Sequence, residues 1–271
     1  MTPALELVHK SPWRWKLDPV REIRSYFVAL YGPWGPQHWW PAHTPFEVIV
    51  GAYLTQNTSW TNVERALHSL RGARLLSVAG IRRTPLPRLE RLIRSAGYYR
   101  QKARRLKTFV TFLDRSYAGS LTRLLKQPLP KLREELLALN GIGPETADSI
   151  LLYAGNHPVF VVDAYTRRIL ERHRLATPRT SYEEIRAMFE HALQPLAGEA
   201  LVFESGSGAT VTGVRGSSHP PSRMSTAGRT AVVQVFNEMH GLIVGVGKHY
   251  CKTSQPSCEQ CPLRKFLPSA Q

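Results

Sequence analysis

A turn flanked by glycines offers the most specific chemistry in the sequence. Residues 139–147 read LNGIGPETA, in which Gly141 and Gly143 enclose Ile142. Pro144 suits the first position of a helix, because its missing N–H needs no partner there. Glycines let a backbone approach another molecule closely, and the free amides of a helix N-terminus attract an anion such as a DNA phosphate. The alternative is an ordinary corner between two helices, with Ile142 packed into the core.

An aspartate follows this turn at the end of an apolar run. Asp163 closes the run VFVVD, nineteen residues after Pro144, and precedes AYTRRIL. An aspartate at this place can cap the helix that follows. An apolar run that delivers a carboxylate to a helix start also fixes that carboxylate at the edge of a cleft, where it can stabilise a positive charge on a substrate. The residues alone leave both roles open.

The charge of the chain is concentrated in one stretch. The sequence has 36 Lys and Arg against 20 Asp and Glu, a net charge of +16. Residues 65–133 contain 18 of the basic residues and two acids, Glu90 and Asp114, so the rest of the chain is balanced. A surface this one-sided favours nucleic acid as the partner, with an anionic membrane face as the next candidate.

Membrane insertion and secretion are not expected. The chain has no run of 18 apolar residues, which excludes a membrane-spanning helix. The first residues, MTPALELVHKSPWRWKLDP, carry charges where a signal peptide needs its apolar stretch. We therefore expect a cytoplasmic protein, associated with the nucleoid if it is bacterial.

The elements that must position these residues are predicted to be helices. Apolar periodicity and capping residues predict helices at 19–31, 45–56, 61–70, 87–96, 101–113, 132–139, 145–154, 165–174, 183–193 and 232–246. The best strand candidate is the short run at 159–163, so the predicted fold class is all-α. Residues 204–228 are rich in Gly, Ser, Thr and Pro and are predicted to form a flexible insertion.

The turn and the aspartate together resemble the helix–hairpin–helix and Gly/Pro-Asp signature of the endonuclease III superfamily of DNA glycosylases. The similarity continues upstream through LTQNTSWTNVERAL and GYYRQKARRL and downstream through FNEMHGLIVGVGKHYC. The resemblance implies a two-lobed helical fold. Residues 35–140 would form a barrel lobe with the basic surface. Residues 141–271 would form the hairpin and aspartate lobe, with residues 1–34 packed against it.

The resemblance also implies roles at the DNA. The hairpin residues Gly141, Ile142, Gly143 and Thr146 would bind phosphates of double-stranded DNA, with a monovalent cation possible at the hairpin. Asp163 would stabilise the positive charge that develops on the deoxyribose as the base leaves, a task that suits a fixed carboxylate.

Gln56 would enter the gap that a flipped base leaves in the duplex. Its alternative role is that of a helix-end residue bonded to backbone.

Two further features resemble the endonuclease III-like 3-methyladenine DNA glycosylases. Trp39 and Trp40, in HWWPAHTPFE, would stack on a flipped alkylated base, since an indole face suits a cationic purine; simple core anchoring is the alternative. Glu145 occupies the place of the lysine nucleophile of bifunctional relatives. It would belong to the catalytic apparatus without forming a Schiff base, and its alternative is a first-turn acid favoured by the helix dipole.

Three cysteines near the C-terminus form an incomplete cluster motif. Cys251, Cys258 and Cys261 have the spacing C-x6-C-x2-C, and the family pattern continues with a fourth cysteine where this chain has Leu267. A [4Fe–4S] cluster is thus possible but lacks its fourth thiolate, for which His240 and His249 are weak substitutes. The alternative is three reduced thiols.

These features predict a base excision repair DNA glycosylase that acts as a monomer on damaged duplex DNA. The expected reaction is hydrolysis of the N-glycosidic bond, with an alkylated purine as the base and an intact abasic site as the product. One alternative is a bifunctional oxidised-pyrimidine glycosylase with abasic-site lyase activity. Another is a lesion-binding protein without catalysis, although Asp163 would give such a protein no advantage beside phosphates.

Overall fold

The computed structural model describes residues 18–198 and 220–268, and every regular element within them is a helix, as the sequence predicts. The α-helices are α1 (Pro19–Trp34), α2 (Pro45–Thr55), α3 (Trp60–Gly72), α4 (Val78–Arg83), α5 (Leu86–Leu92), α6 (Tyr99–Tyr117), α7 (Leu121–Leu125), α8 (Leu129–Leu137), α9 (Pro144–Tyr153), α10 (Ala164–Arg172), α11 (Tyr182–Leu193) and α12 (Ala231–His249). Short 3₁₀ turns lie at Arg94–Ala96, Gln194–Ala197, Cys258–Gln260 and Arg264–Phe266. No described helix is both long and apolar enough to cross a membrane.

Most helices begin where the sequence supplies a cap. Asp18 accepts hydrogen bonds from the first amides of α1, and Thr44 accepts one from Glu47 at the start of α2. Ser181 and Glu184 form a reciprocal capping box at α11. Local chemistry therefore sets these boundaries.

The expected strand is absent from the part of the chain that the structure describes. Residues 159–162 are extended and buried but have no neighbouring strand. Side chains of α11 satisfy the backbone instead: Phe160 donates its N–H to Glu190 Oε1 at 3.0 Å, and Val162 donates to the Tyr182 hydroxyl at 3.3 Å. The run was the best strand candidate within a predicted all-α fold, because an apolar run shows burial and cannot show what pairs with it.

The packing brings the two halves of the chain together around α2. This helix is buried along almost its whole length and contacts α3, α6 and α9. The first helix packs against α11 and α12, and α10 also packs on α12. The lobe boundaries at 34 and 140 remain predictions. The part of the N-terminal segment before residue 18 lies outside the described residues.

The segment expected to be a flexible insertion is only partly described. Residues 204–219 lie outside the described residues. Residues 222–227 form a turn that docks on the loop carrying Trp40: Ser222 Oγ donates to the Trp40 carbonyl at 3.1 Å, and Met224 N–H donates to the Ala42 carbonyl at 3.0 Å. Met224 is buried. Its hydroxyl and methionine side chains thus have specific partners, and the flexibility of the insertion stays a prediction.

Candidate active site

The predicted hairpin corner joins α8 to α9. The Ile142 N–H donates to the Leu139 carbonyl at 3.1 Å and closes the turn, and the Ile142 side chain is buried. Gly141 has a φ of 82°, and a Cβ at this position would lie 1.9 Å from Arg105 Nε. Gly143 is exposed, has open space around it and caps α9 without any side-chain bond. The first amides of α9 are therefore not occupied by a capping side chain, as an anion site requires.

Gln56, at the C-terminal end of α2, binds this hairpin directly. Its Nε2 donates to the Gly141 carbonyl at 2.8 Å and to Thr146 Oγ1 at 3.0 Å, and its Oε1 accepts from Arg105 at 2.7 Å. Gln56 thus adopts the backbone-bonded arrangement that we gave as its alternative. Thr146 is buried beneath it, and the binding of DNA by Thr146 stays a prediction.

Asp163 caps α10 and presents one oxygen to the site. Its Oδ1 accepts from the Thr166 N–H at 2.7 Å and from the Thr166 hydroxyl at 2.8 Å. Burial alone would raise the pKa of this carboxyl, but the interaction with His240 and the bonds from Thr166 outweigh burial and hold the pKa below its usual value. Asp163 is therefore an ionised and fixed carboxylate, with Oδ2 left over from the cap.

A histidine from α12 lies beside the Oδ2 atom of Asp163. His240 Nε2 lies 3.6 Å from Asp163 Oδ2, and His240 Nδ1 is hydrogen-bonded to the buried hydroxyl of Tyr153. Tyr153 is the last residue of α9, so the helix that begins at the hairpin ends at this histidine. The site is consequently built from the end of α9, the N-cap of α10 and the middle of α12.

Glu145 interacts electrostatically with Asp163, and its pKa is shifted in the opposite direction. Desolvation first, and the negative charge of Asp163 second, raise the pKa of Glu145 to about 7, against a smaller lowering by His240. The residue as a whole is exposed to solvent. Two carboxyl groups whose pKa values move apart are typical of a catalytic site.

The two tryptophans predicted for the base pocket are buried in an aromatic cluster. Trp40 packs against Trp60 and Tyr153 with ring centroids 5.2 Å apart in each case, and it covers Gly51 of α2. Trp39 has the Lys248 ammonium 5.3 Å from its ring centroid. The positions are compatible with core anchoring, and base stacking remains a prediction.

Comparison with known proteins identifies the family. The family model described as HhH-GPD superfamily base excision DNA repair protein matches residues 50–195, more than half of the chain. This chain belongs to the HhH-GPD superfamily. It is a base excision repair DNA glycosylase, and its DNA-repair assignment from the hairpin and Asp163 is confirmed.

Relatives of this glycosylase span nearly its whole length. A protein of Methanocaldococcus jannaschii named as a DNA repair glycosylase is 38% identical over 93% of this chain and 98% of its own. Endonuclease III-like protein 1 of Bos taurus is 27% identical over 96% of this chain and 72% of its own. Among solved structures, the H. pylori 3-methyladenine DNA glycosylase bound to 1,N6-ethenoadenine is similar with a TM-score of 0.65 and 27% identity, over 86% of this chain and 98% of that chain.

The cysteine motif of this glycosylase does not fit a four-thiolate cluster. Cys251, Cys258 and Cys261 line one cavity, and Leu267 lines it at the place of the fourth cysteine. Within residues 18–198 and 220–268, no group of three or more His, Cys, Asp or Glu side chains is arranged to hold a metal ion. Arg172 donates to Cys251 Sγ at 3.1 Å.

The two histidines that we considered as substitute ligands have other neighbours. His240 lies between Tyr153 and Asp163 rather than at the cysteine cavity. The ring of His249 lies edge-on to Tyr250. The histidine that does line the cavity is His173, whose Nδ1 is hydrogen-bonded to the Tyr26 hydroxyl at 2.8 Å.

The basic side chains of residues 65–133 are mostly exposed, but one is buried and several are paired with acids. Lys102 is buried and donates to the carbonyls of Leu54 and Ala96; desolvation first, and the charge of Arg105 second, lower its pKa to about 8. Arg82 is paired with Asp114. Arg71 and Arg133 are paired with acids from outside the stretch. The charge available to DNA is therefore smaller than the sequence count suggests.

Sequence reasoning missed three residues of this site: Tyr153, His240 and Lys248. For His240 and Lys248 the available signal was their place in α12, a helix that is otherwise nearly all apolar and is buried along most of its length. Tyr153 ends α9 and carried no such signal. A buried polar side chain needs a partner, so such positions indicate a network or a site.

Proposed function

We propose that this glycosylase is monofunctional and hydrolyses the N-glycosidic bond of an alkylated purine in duplex DNA. The observation that carries the proposal is the pairing of a fixed, ionised Asp163 with Glu145 in place of an amine nucleophile. An ionised carboxylate can stabilise a cationic sugar. A glutamate has no amine with which to form a Schiff base.

The chain's residues divide the reaction among them. The hairpin at 141–143 binds backbone phosphates through exposed amides and the N-terminus of α9. The damaged nucleotide rotates out of the stack. As the C1′–N bond breaks, both electrons leave with the base and positive charge develops on the sugar, facing Asp163. Water adds its oxygen to C1′, its proton passes to a carboxylate of the site, and the abasic site keeps both phosphodiester bonds.

An alkylated purine suits this apparatus for two reasons. Its positive charge makes it a good leaving group, so a carboxylate without a nucleophilic amine is sufficient. Indole rings favour an electron-poor base. Trp39 and Trp40 supply two such rings in the loop that precedes α2. The similarity to a 3-methyladenine DNA glycosylase over most of both chains supports this choice.

The experiment is a glycosylase assay on matched duplexes that carry an alkylated purine, an oxidised pyrimidine or a deaminated base. We expect base release from the alkylated duplex, with strand breaks only after added alkali. Release confined to oxidised pyrimidines, or breaks without alkali, would contradict the proposal. Binding without release from any duplex would favour the non-catalytic alternative.

One observation favours the bifunctional alternative as the second candidate. Lys248 of α12 stands over Trp39, and desolvation lowers its pKa against the opposing charges of Glu64 and Asp163. A desolvated lysine near the reacting sugar is the kind of amine that forms Schiff bases. It would act from a different helix than the lysine of the family pattern.

A further inference from the structure

The oxygen of Asp163 that does not cap α10 faces one buried donor. His240 Nε2 lies 3.6 Å from Oδ2 and is buried. Among the described residues it has no hydrogen-bond partner. A buried ring nitrogen without a partner has a free-energy cost, so its persistence calls for an explanation. The distance to Asp163 is just beyond a hydrogen bond, a separation that can close in a substrate complex.

The other nitrogen of His240 is held by Tyr153. Burial raises the pKa of the Tyr153 phenol far above its usual value, so the phenol is neutral and carries its proton. When this hydroxyl donates to Nδ1, the proton of a neutral imidazole must reside on Nε2. The carboxylate oxygen beside Nε2 favours a proton on that nitrogen, and the arrangement in which Tyr153 donates to Nδ1 is the one that matches it.

We propose that His240 is a positioning residue for the glycosylase reaction, and that Tyr153 sets its tautomer. In this Tyr153–His240–Asp163 relay, the Nε2–H holds Oδ2 in a fixed position and keeps the carboxylate ionised. The inference rests on the proposed function, because it gives Asp163 the catalytic role. Tyr153 and His240 themselves touch neither sugar nor base in this scheme.

Several charged or titratable groups act on Asp163 besides His240, and the relay must be separated from them. Glu145 of α9 and Tyr165 of α10 interact with it electrostatically, as does Lys248 of α12. Within α9, Tyr153 does the same. His240 differs from these because its Nε2 lies beside Oδ2 and its interaction lowers the pKa of Asp163. Its removal should therefore raise the pKa of Asp163.

Two amide variants separate the relay from packing. In His240→Gln, the side-chain nitrogen reaches the place of Nε2 and can still donate to Asp163. In His240→Asn, the shorter side chain reaches the place of Nδ1, keeps a contact for Tyr153 and loses the donor to Asp163. His240→Leu removes both contacts, and Tyr153→Phe removes only the tautomer control.

The measurement is the single-turnover excision rate on an alkylated duplex from acid to alkaline pH, together with the melting temperature of each variant. We expect His240→Asn and His240→Leu to lose about 10- to 100-fold in rate, the range for a hydrogen bond to a charged group. The acid limb of their pH profiles should move to higher pH. His240→Gln should keep most of the rate and the wild-type limb. Tyr153→Phe should slow the wild type more than it slows His240→Gln.

Other outcomes overturn the inference. In one such outcome, the Asn, Gln and Leu variants lose rate in proportion to their decrease in melting temperature, and the acid limb of their pH profiles does not move. His240 is then a packing residue only. Asp163→Asn belongs in the same series. If that variant keeps its rate, the catalytic role of Asp163 and the relay fail together. If it is inactive while His240→Asn behaves as wild type, the relay alone fails.

Discussion

The side-chain amide of Gln56 donates to the carbonyl oxygen of Gly141 at 2.8 Å and so ties the end of α2 to the hairpin. The same nitrogen binds Thr146, and Arg105 completes the cluster from α6. A glutamine engaged in this way cannot at the same time fill a gap in DNA. If Gln56 is the wedge that the family resemblance implies, binding of damaged DNA must exchange these bonds for contacts with the duplex.

Gln56→Ala should therefore impair base flipping more than DNA binding. We expect a drop of about tenfold in excision from a paired duplex, since unstacking a base costs a few kcal/mol that the wedge offsets. Binding to undamaged duplex should change little. Base flipping is measured by the fluorescence of a 2-aminopurine placed next to the lesion, and the excision rate is measured on the same duplex. Gln127→Ala, which removes an exposed glutamine from its bond with the Arg123 carbonyl, is the matched control. Equal flipping in both variants would limit Gln56 to a structural link.

Binding to undamaged DNA should depend strongly on salt. If the basic stretch contacts about 5–8 phosphates, log K should fall with log salt at a slope of about −5 to −7. Arg104 is exposed and precedes the Arg105 that touches the hairpin. Arg104→Ala should make the slope shallower by about 1.

Arg186→Ala is the control for this titration, because Arg186 is paired with Glu183 and Glu190 in the other half of the chain. Its slope should match that of the wild type. A wild-type slope near zero would rule out the basic stretch as the DNA-binding surface.

The raised pKa of Glu145 predicts a pH-dependent gain in stability when the charge is removed. Its pKa is 4.5 in the reference state and about 7 in the folded protein. Below the lower value the group is protonated in both states and has no effect. As pH rises through the folded value, the folded state carries an unfavourable charge and stability falls. Glu145→Gln should therefore raise the melting temperature at pH 8 and leave it nearly unchanged at pH 4.5.

Burial also raises the pKa of Glu238 to about 7. Because Glu238 is present in the wild type and in Glu145→Gln, its effect on stability cancels when the two are compared. Glu134→Gln, at an exposed position of α8, controls for the loss of a surface charge. An increase in melting temperature of the same size at both pH values would show that the Glu145 effect is unrelated to its titration.

Local rules made the hairpin and the Asp163 cap predictable from sequence. Pro144 at the first turn of α9 and Asp163 before α10 lie where capping preferences place them. His240 and Lys248 could not be found in this way, because α12 meets α9 and α10 only through tertiary packing. The hydrogen-bond partners of residues 159–162 could not be found for the same reason: they are side chains of a distant helix.

Borohydride trapping distinguishes the two proposed chemistries. A monofunctional enzyme forms no Schiff base, so we expect no covalent product with duplexes that contain an abasic site or an alkylated purine. Should a product form, Lys248→Met decides its origin, because Lys248 faces both Asp163 and Trp39. Lys107→Met is the control, since Lys107 donates to carbonyls at the end of α4. Efficient trapping that only the Lys248 variant abolishes would establish the lyase alternative.

Asp163→Asn gives the most direct test of the catalytic site. Asparagine also caps helices well, so α10 should keep its start and DNA binding should be unaffected. Asp18→Asn, at another aspartate cap, controls for the substitution itself.

The measurement is single-turnover base release beside equilibrium binding to the same alkylated duplex. We predict that Asp163→Asn binds as the wild type does but loses about 10²- to 10³-fold in rate, the scale of one preorganised electrostatic group. Base release at the wild-type rate by a folded, DNA-binding Asp163→Asn variant would contradict the assignment of Asp163 as the catalytic carboxylate.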